Sequence, residues 1–344
     1  MPEVSSQDKC FIERLPKVEL HLHLEGSVRP HTLRELARAK ERDTESVESW
    51  IAQRTESGFR YRDFQDFIEA FKAVALLLGT PADYALATTR LVEWLKEQNV
   101  RYAEVIFAAG VVLWKQQSLP AIFEAAAAAA AEAEARCGVR VRWIFDATRQ
   151  FGAEHARQVL EFAARYRPMG VVAIGIGGDE RRGAAELFAD VYRAARDAGL
   201  HTTAHAGETC PAQSIRQAVE LLGAERIGHG LTAARDPEVM ALLRERGVPV
   251  EVCLSSNVST GVLASVQEHP LGRFLAEGLN VTINSDDPAM FGTSLTRELE
   301  LAAENFSLTR AQLLRLLGNA ARAVFLPETE KRALVSEVEK AAAG

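Results

Sequence analysis

The chain has 344 residues, 47% hydrophobic and 25% charged, with a formal net charge of −7. Such a composition supports a sizeable buried core, and the acidic balance gives no electrostatic reason to expect nucleic acid or an anionic membrane as partner. No run of about eighteen apolar residues is present to span a bilayer. The stretch MPEVSSQDKCFIERLPK is polar where a secretory signal is apolar. Cys10, Cys137, Cys210 and Cys253 form no C-x-x-C pair, which disfavours a disulfide scaffold or a cysteine-rich zinc knuckle. A cytoplasmic location is expected.

The first predicted strand, 17–23, reads KVELHLH and ends in His21 and His23, which share a face because residues i and i+2 of a strand point the same way. By itself the pair fits either a metal site or a wet sheet face. The interval 30–99 is too long for one crossover and reads as several inserted helices. Within it, GFRYRDFQDFIEAF (58–71) places Phe64, Phe67 and Phe71 on one helical face, for packing on a barrel and, in part, as cover for a pocket. Further strands are predicted at 101–107, 140–146, 170–177, 200–205, 226–229, 248–254 and 279–285, β-branched and near-continuously apolar as parallel strands covered on both faces are. The alanine run 125–131 and the amphipathic segments 183–198 and 212–222 read as crossover helices. The tail beyond about residue 305 is helical and closes the barrel from outside. The pattern predicts a (β/α)8 TIM barrel as one domain over 1–344, with helices inserted after the first strand and a helical C-terminal tail.

In such barrels the chemistry collects at the C-terminal strand ends. Those ends carry His21 and His23, then His205 in HAGE, His229 in GHG, and Asp286-Asp287 in SDDP. Imidazoles with one carboxylate suit Zn²⁺ with a position left for water, so His21, His23, His205 and one of the aspartates are the candidate ligands. A second metal bridged by a modified lysine is not expected, because residues 116–330 contain no lysine. Glu208 is either a solvated loop residue or a general acid raised by burial. His229 is either a core histidine or a site residue, and its flanking glycines allow close approach.

LPKVELHLHLEGS, GGDE (177–180), HAGE (205–208), GHG (228–230) and SDDP (285–288), in that order, resemble the adenosine deaminase family of metal-dependent barrel hydrolases over about residues 15–325. The resemblance implies one zinc per chain, held by His21, His23, His205 and Asp286. It implies Glu208 as proton donor to purine N1, His229 and Asp287 as the residues that orient the attacking hydroxide, and the Gly178 N–H as donor to N3. Where adenosine deaminases read HxHLDG, this chain has Glu25, and the sugar end of the pocket is expected to differ. The expected substrate is a small-molecule 6-aminopurine nucleoside, adenosine or a 5′-modified adenosine such as aminodeoxyfutalosine. Arg149, just beyond the third strand in DATRQFG, is either the partner of an anionic 5′ group or an ordinary surface arginine. Free adenine is the alternative, and a non-catalytic binding protein on the same fold is disfavoured by the intact acid, base and ligand set.

Overall fold

Short apolar runs assemble the strands β1 (Lys17–His23), β2 (Val100–Phe107), β3 (Arg140–Asp146), β4 (Val171–Gly175), β5 (His201–Ala206), β6 (Arg226–His229), β7 (Val250–Val252) and β8 (Val281–Ile283). All adjacent pairs are parallel and run in chain order, the topology of a (β/α)8 barrel. The computed structural model describes residues 6–40, 44–56 and 58–342. The start of the polar N-terminus, residues 41–43 and Ser57 of the insertion, and the last two residues of the chain lie outside that range. No single helix among the described residues is long and apolar enough to cross a membrane.

The observed strands β7 and β8 are shorter than the apolar runs that predict them. Beyond Val252 the chain turns into the helix Leu254–Ser259. Beyond Ile283 the seam with β1 is made differently. The Asn284 side chain accepts from Leu20 N at 3.0 Å, and Ser285 N donates to the Glu19 carboxylate at 2.8 Å. Asp286 then completes the seam through its backbone, accepting from His23 N at 2.8 Å and donating to His21 O at 3.0 Å. Polar side chains thus replace part of the ladder, which strand periodicity does not reveal.

The insertion forms helices Pro30–Ala39, Thr44–Glu56, Phe64–Leu77 and Pro81–Glu97. The third begins at Phe64, later than the pattern from residue 58 suggests, because Asp63 caps it by accepting from Asp66 N at 2.9 Å. The alanine run lies within the helix Leu119–Cys137, as predicted, and Gly138 ends that helix at φ +73°. The segment 183–198 divides into a 3₁₀ turn and the helix Ala189–Asp197, and 212–222 into a short α-helix and a π-turn.

The C-terminal helices Arg310–Ala323 and Glu328–Ala342 lie outside the barrel, but the segment between them does more than cover it. Phe325 packs with Ile106, Ile144 and Ala173 in an interior cluster, its ring 3.7 Å below the Arg226 guanidinium and stacked on His201. Arg226 is fully buried between Glu104 and Glu251, at 2.6 Å from each. A buried cation is tolerated only when paired and hydrogen-bonded, and this one also donates to Ala323 O at 2.9 Å. The network runs up the barrel interior from the tail to Glu251, whose second oxygen meets His21 Nδ1 at 2.8 Å.

Candidate active site

The C-terminal strand ends bring the predicted residues to one cavity of about 420 Å³, whose lining includes His23, His205, Glu208, His229, Asp286 and Asp287. β1 carries His21 and His23, β5 carries His205, and β6 ends at His229. Asp286 and Asp287 follow β8. His229 and Asp286 have φ of +62° and +63°, a region that non-glycine residues enter rarely. Such strain is found where the surrounding structure holds a functional side chain in place.

The donor atoms converge. Asp286 Oδ1 lies 3.3 Å from both His21 Nε2 and His23 Nε2, and His23 Nε2 lies 3.3 Å from His205 Nε2. Two donors about 2.0–2.1 Å from one tetrahedral zinc stand roughly 3.3–3.4 Å apart, so these edges fit a single ion. His21 Nε2 is buried without a hydrogen-bond partner, an orphan that a metal would satisfy. Burial holds His23 down at about 3 and His205 well below its usual value, and both imidazoles are therefore neutral, the form that ligates metals. Burial works the same way on His21, but Asp286 and Glu251 overcome it and raise its pKa to about 10. The carboxylates therefore favour positive charge at this point. His21, His205, His229 and Asp286 each bring a donor atom within 4.8 Å of the others, as do His23, Asp286 and Asp287, and both groups share Asp286.

Beside the donors, Glu208 is 5% exposed and its carboxyl is pushed well above the usual range, first by burial and then by Asp286 and Glu180. His229 Nε2 is 3.8 Å from Glu208 and 3.9 Å from Asp286, while its Nδ1 lies 3.4 Å from the Asn257 amide. Burial, and then Asp286, raise the Asp287 carboxyl, whose Oδ1 is buried without a partner. Gly178 lines the same cavity at φ +87°, and a Cβ there would stand 2.3 Å from Gln150 Oε1, so only glycine leaves its backbone accessible.

Two predicted residues sit elsewhere. Glu25 is fully buried beneath the cavity wall, accepting from Ala108 N at 3.3 Å, with burial raising its pKa to about 7. Arg149 requires a correction. Its guanidinium is turned to His205 O at 2.6 Å and Gly183 O at 3.2 Å and does not line the cavity, so no anionic group of a ligand meets it there. The cations on the lining are Lys72 and Arg182, near a Trp114–Phe151 pair stacked at 5.7 Å. Phe64, Phe67 and Phe71 all contribute to the wall, and the Phe71 ring packs edge-on to His23 at 6.2 Å.

Sequence reasoning missed the supporting residues. Glu251 orients His21, and Asn257 contacts His229. Glu180, inside the quoted GGDE, accepts from Gly207, Thr209 and Cys210 N–H groups and so holds the loop that presents Glu208. Only for Glu180 was there a signal in the sequence, its place in a motif.

The adenosine deaminase family pattern matches residues 16–341. The chain is 37% identical over 340 residues to an aminodeoxyfutalosine deaminase of Streptomyces coelicolor, covering 98% of this chain and 87% of that protein. It is 33% identical over 335 residues to an adenine deaminase of Chlorobium luteolum, covering 97% of each. Among solved structures, an adenine deaminase from Arthrobacter aurescens superposes with a TM-score of 0.87 at 29% identity, covering 96% of this chain and all of that one. An amidohydrolase from Burkholderia ambifaria with bound zinc gives 0.89 at 27% identity, covering 99% of this chain and 95% of that one. With its barrel and the converging histidines and aspartates, the chain belongs to the adenosine deaminase family of hydrolytic deaminases.

Proposed function

We propose that the protein is a zinc-dependent deaminase of a 6-aminopurine nucleoside bearing a 5′ extension, converting it to the 6-oxopurine nucleoside and ammonia. The observation that carries this reading is the form of the cavity. Its buried end holds the acid and ligand residues, and its exposed end is lined by Trp114, Phe151, Lys72 and Arg182, more wall than a purine base needs. Arg182 has no side-chain hydrogen-bond or ion-pair partner among the described residues and is free to meet an anion.

His21, His23, His205 and Asp286 would hold the ion. A zinc ion held there would lower the pKa of water from about 15.7 toward 7, the chemistry needed for a nucleophile at neutral pH. His229 and Asp287 flank that point and orient the nucleophile toward C6. Glu208, kept protonated by burial, delivers a proton to N1 as the ring loses aromaticity. The Gly178 N–H holds N3. One ion is favoured, since the 3.3 Å edges between Asp286, His21, His23 and His205 fit a single tetrahedral ion and residues 116–330 hold no lysine to bridge a second. Protein purified without added metal is expected to contain one zinc per chain by elemental analysis. Two tightly held ions would overturn that count.

Free adenine is the second reading, favoured by the likeness to an adenine deaminase over 97% of each chain. The test is kcat/KM for adenosine, adenine and aminodeoxyfutalosine on wild type and Arg182→Ala. The substitution is expected to affect only the anionic substrate, by up to about 1 kcal/mol, roughly fivefold, because water screens an exposed pair. If adenine is the best substrate, the nucleoside reading is wrong.

A further inference from the structure

Arg226 opens β6, is 1% exposed, and has no part in the roles proposed above. Residues i and i+2 of a strand share a face, so Arg226 and Gly228 both face the barrel interior. Gly228 leaves the room that the His21 ring fills, since a Cβ there would stand 2.7 Å from His21 Cε1 and 3.0 Å from its Nδ1. On the neighbouring strand β7, Glu251 is the register partner of Gly228. Its carboxylate joins the cation to the imidazole. Oε1 accepts from Arg226 Nε at 2.6 Å, and Oε2 meets His21 Nδ1 at 2.8 Å.

An ionised carboxylate only accepts hydrogen bonds. The contact therefore makes Nδ1 the donor nitrogen of His21 and leaves Nε2 facing Asp286 Oδ1 at 3.3 Å. Metal-held imidazoles almost always donate their second N–H to such a partner, which fixes the tautomer and the ring orientation. The partner can do so only if it is itself fixed. Arg226 supplies that, because its planar fork is tied in three directions at once. Nε goes to Glu251, Nη2 lies 2.6 Å from Glu104 Oε2, and Nη1 donates to Ala323 O at 2.9 Å. Glu104 is fastened in turn, accepting from the Tyr102 hydroxyl at 2.8 Å and from Phe325 N at 2.6 Å. The Phe325 ring covers the guanidinium at 3.7 Å.

We infer that Arg226 is a positioning residue for the metal, locking the Glu251 carboxylate so that His21 holds its Nε2 toward the ion. The inference rests on His21 being a metal ligand, as proposed above. It also gives the C-terminal segment 323–325 a share in that support, since its carbonyl and N–H groups hold Arg226 and Glu104.

The test measures the zinc dissociation constant of the full-length protein by competition against a chromophoric chelator. Arg226→Lys keeps the charge, so long-range repulsion of the ion is unchanged, but an ammonium on a flexible stem cannot reproduce the rigid fork. It is expected to raise the dissociation constant about 10-fold, the lower end of the cost of losing a residue that supports a metal ligand. Glu251→Gln is expected to raise it about 10–100-fold. Adding Arg226→Lys to Glu251→Gln should raise it less than about threefold further, because Arg226 acts through Glu251 and the two effects do not add. Wild-type zinc affinity in Arg226→Lys would overturn the inference, and so would fully additive effects in the double variant. A lower melting temperature of the metal-free protein with zinc affinity intact would make Arg226 a residue of the fold alone and overturn it too. If Arg226→Lys does not fold, Arg226→Met combined with Glu104→Gln takes its place. That pair removes one charge of each sign, keeps an acceptor for Tyr102 and Phe325, and is expected to show the same 10-fold rise. His21→Ala separates the two claims, since wild-type zinc affinity there would overturn the ligand assignment on which the inference rests.

Discussion

Glu208→Gln is expected to lower kcat by about 10²–10⁴-fold, the range general acid–base groups supply, while the protein keeps its metal. The glutamine preserves shape and volume in a site that is 5% exposed, but an amide cannot deliver a proton. Glu208 is suited to the task because burial raises its pKa well above the usual carboxylate range, with Asp286 and Glu180 adding repulsion. The acid form is the active one, so the group is competent below its raised pKa and loses competence as pH rises through it. An alkaline limb in the wild-type kcat/KM profile should report that loss. Metal content and kcat measured on the same sample separate proton transfer from metal retention. A variant within a few-fold of wild type would assign the proton to another residue.

Asp286→Ala should release the metal. Asp286 Oδ1 is the shared vertex of the donor cluster, 3.3 Å from both His21 Nε2 and His23 Nε2. Removing a residue that merely supports a ligand costs about 10–100-fold in affinity, and removing the ligand itself should cost more. The barrel seam at this point is made by the backbone, through His23 N to Asp286 O and Asp286 N to His21 O, and survives the substitution. One confounding effect is conformational. Asp286 sits at φ +63°, which aspartate and asparagine tolerate better than alanine. Asp286→Asn therefore provides the companion measurement, since it keeps the backbone preference and removes only the charge. Zinc content well below one ion per chain in both variants, with the folded baseline retained, is the expected outcome. Full zinc occupancy in Asp286→Ala would exclude the residue from the ligand set.

The alternation of apolar runs with amphipathic segments was enough to predict the barrel, because strand and helix periods are local properties of the chain. The strand ends followed from it, and with them His21, His23, His205, His229, Asp286 and Asp287, since a parallel barrel puts every C-terminal end on one rim. What lay outside that reach depends on contacts between residues far apart in sequence. Glu251 supports His21 across 230 positions, and Arg226 reaches a tail carbonyl across 97. Phe325 enters the barrel's interior cluster although its segment reads only as the end of an outer helix. Arg149 shows the limit most directly. A guanidinium just past a strand end can serve a ligand or a backbone carbonyl with equal chemistry, and only its distances to His205 and Gly183 decide. Local pattern determined where the chemistry-bearing residues lie along the rim. The tertiary structure decided which of them face one another, because hydrogen bonds and desolvation act over a few ångströms of space, whatever the separation in sequence.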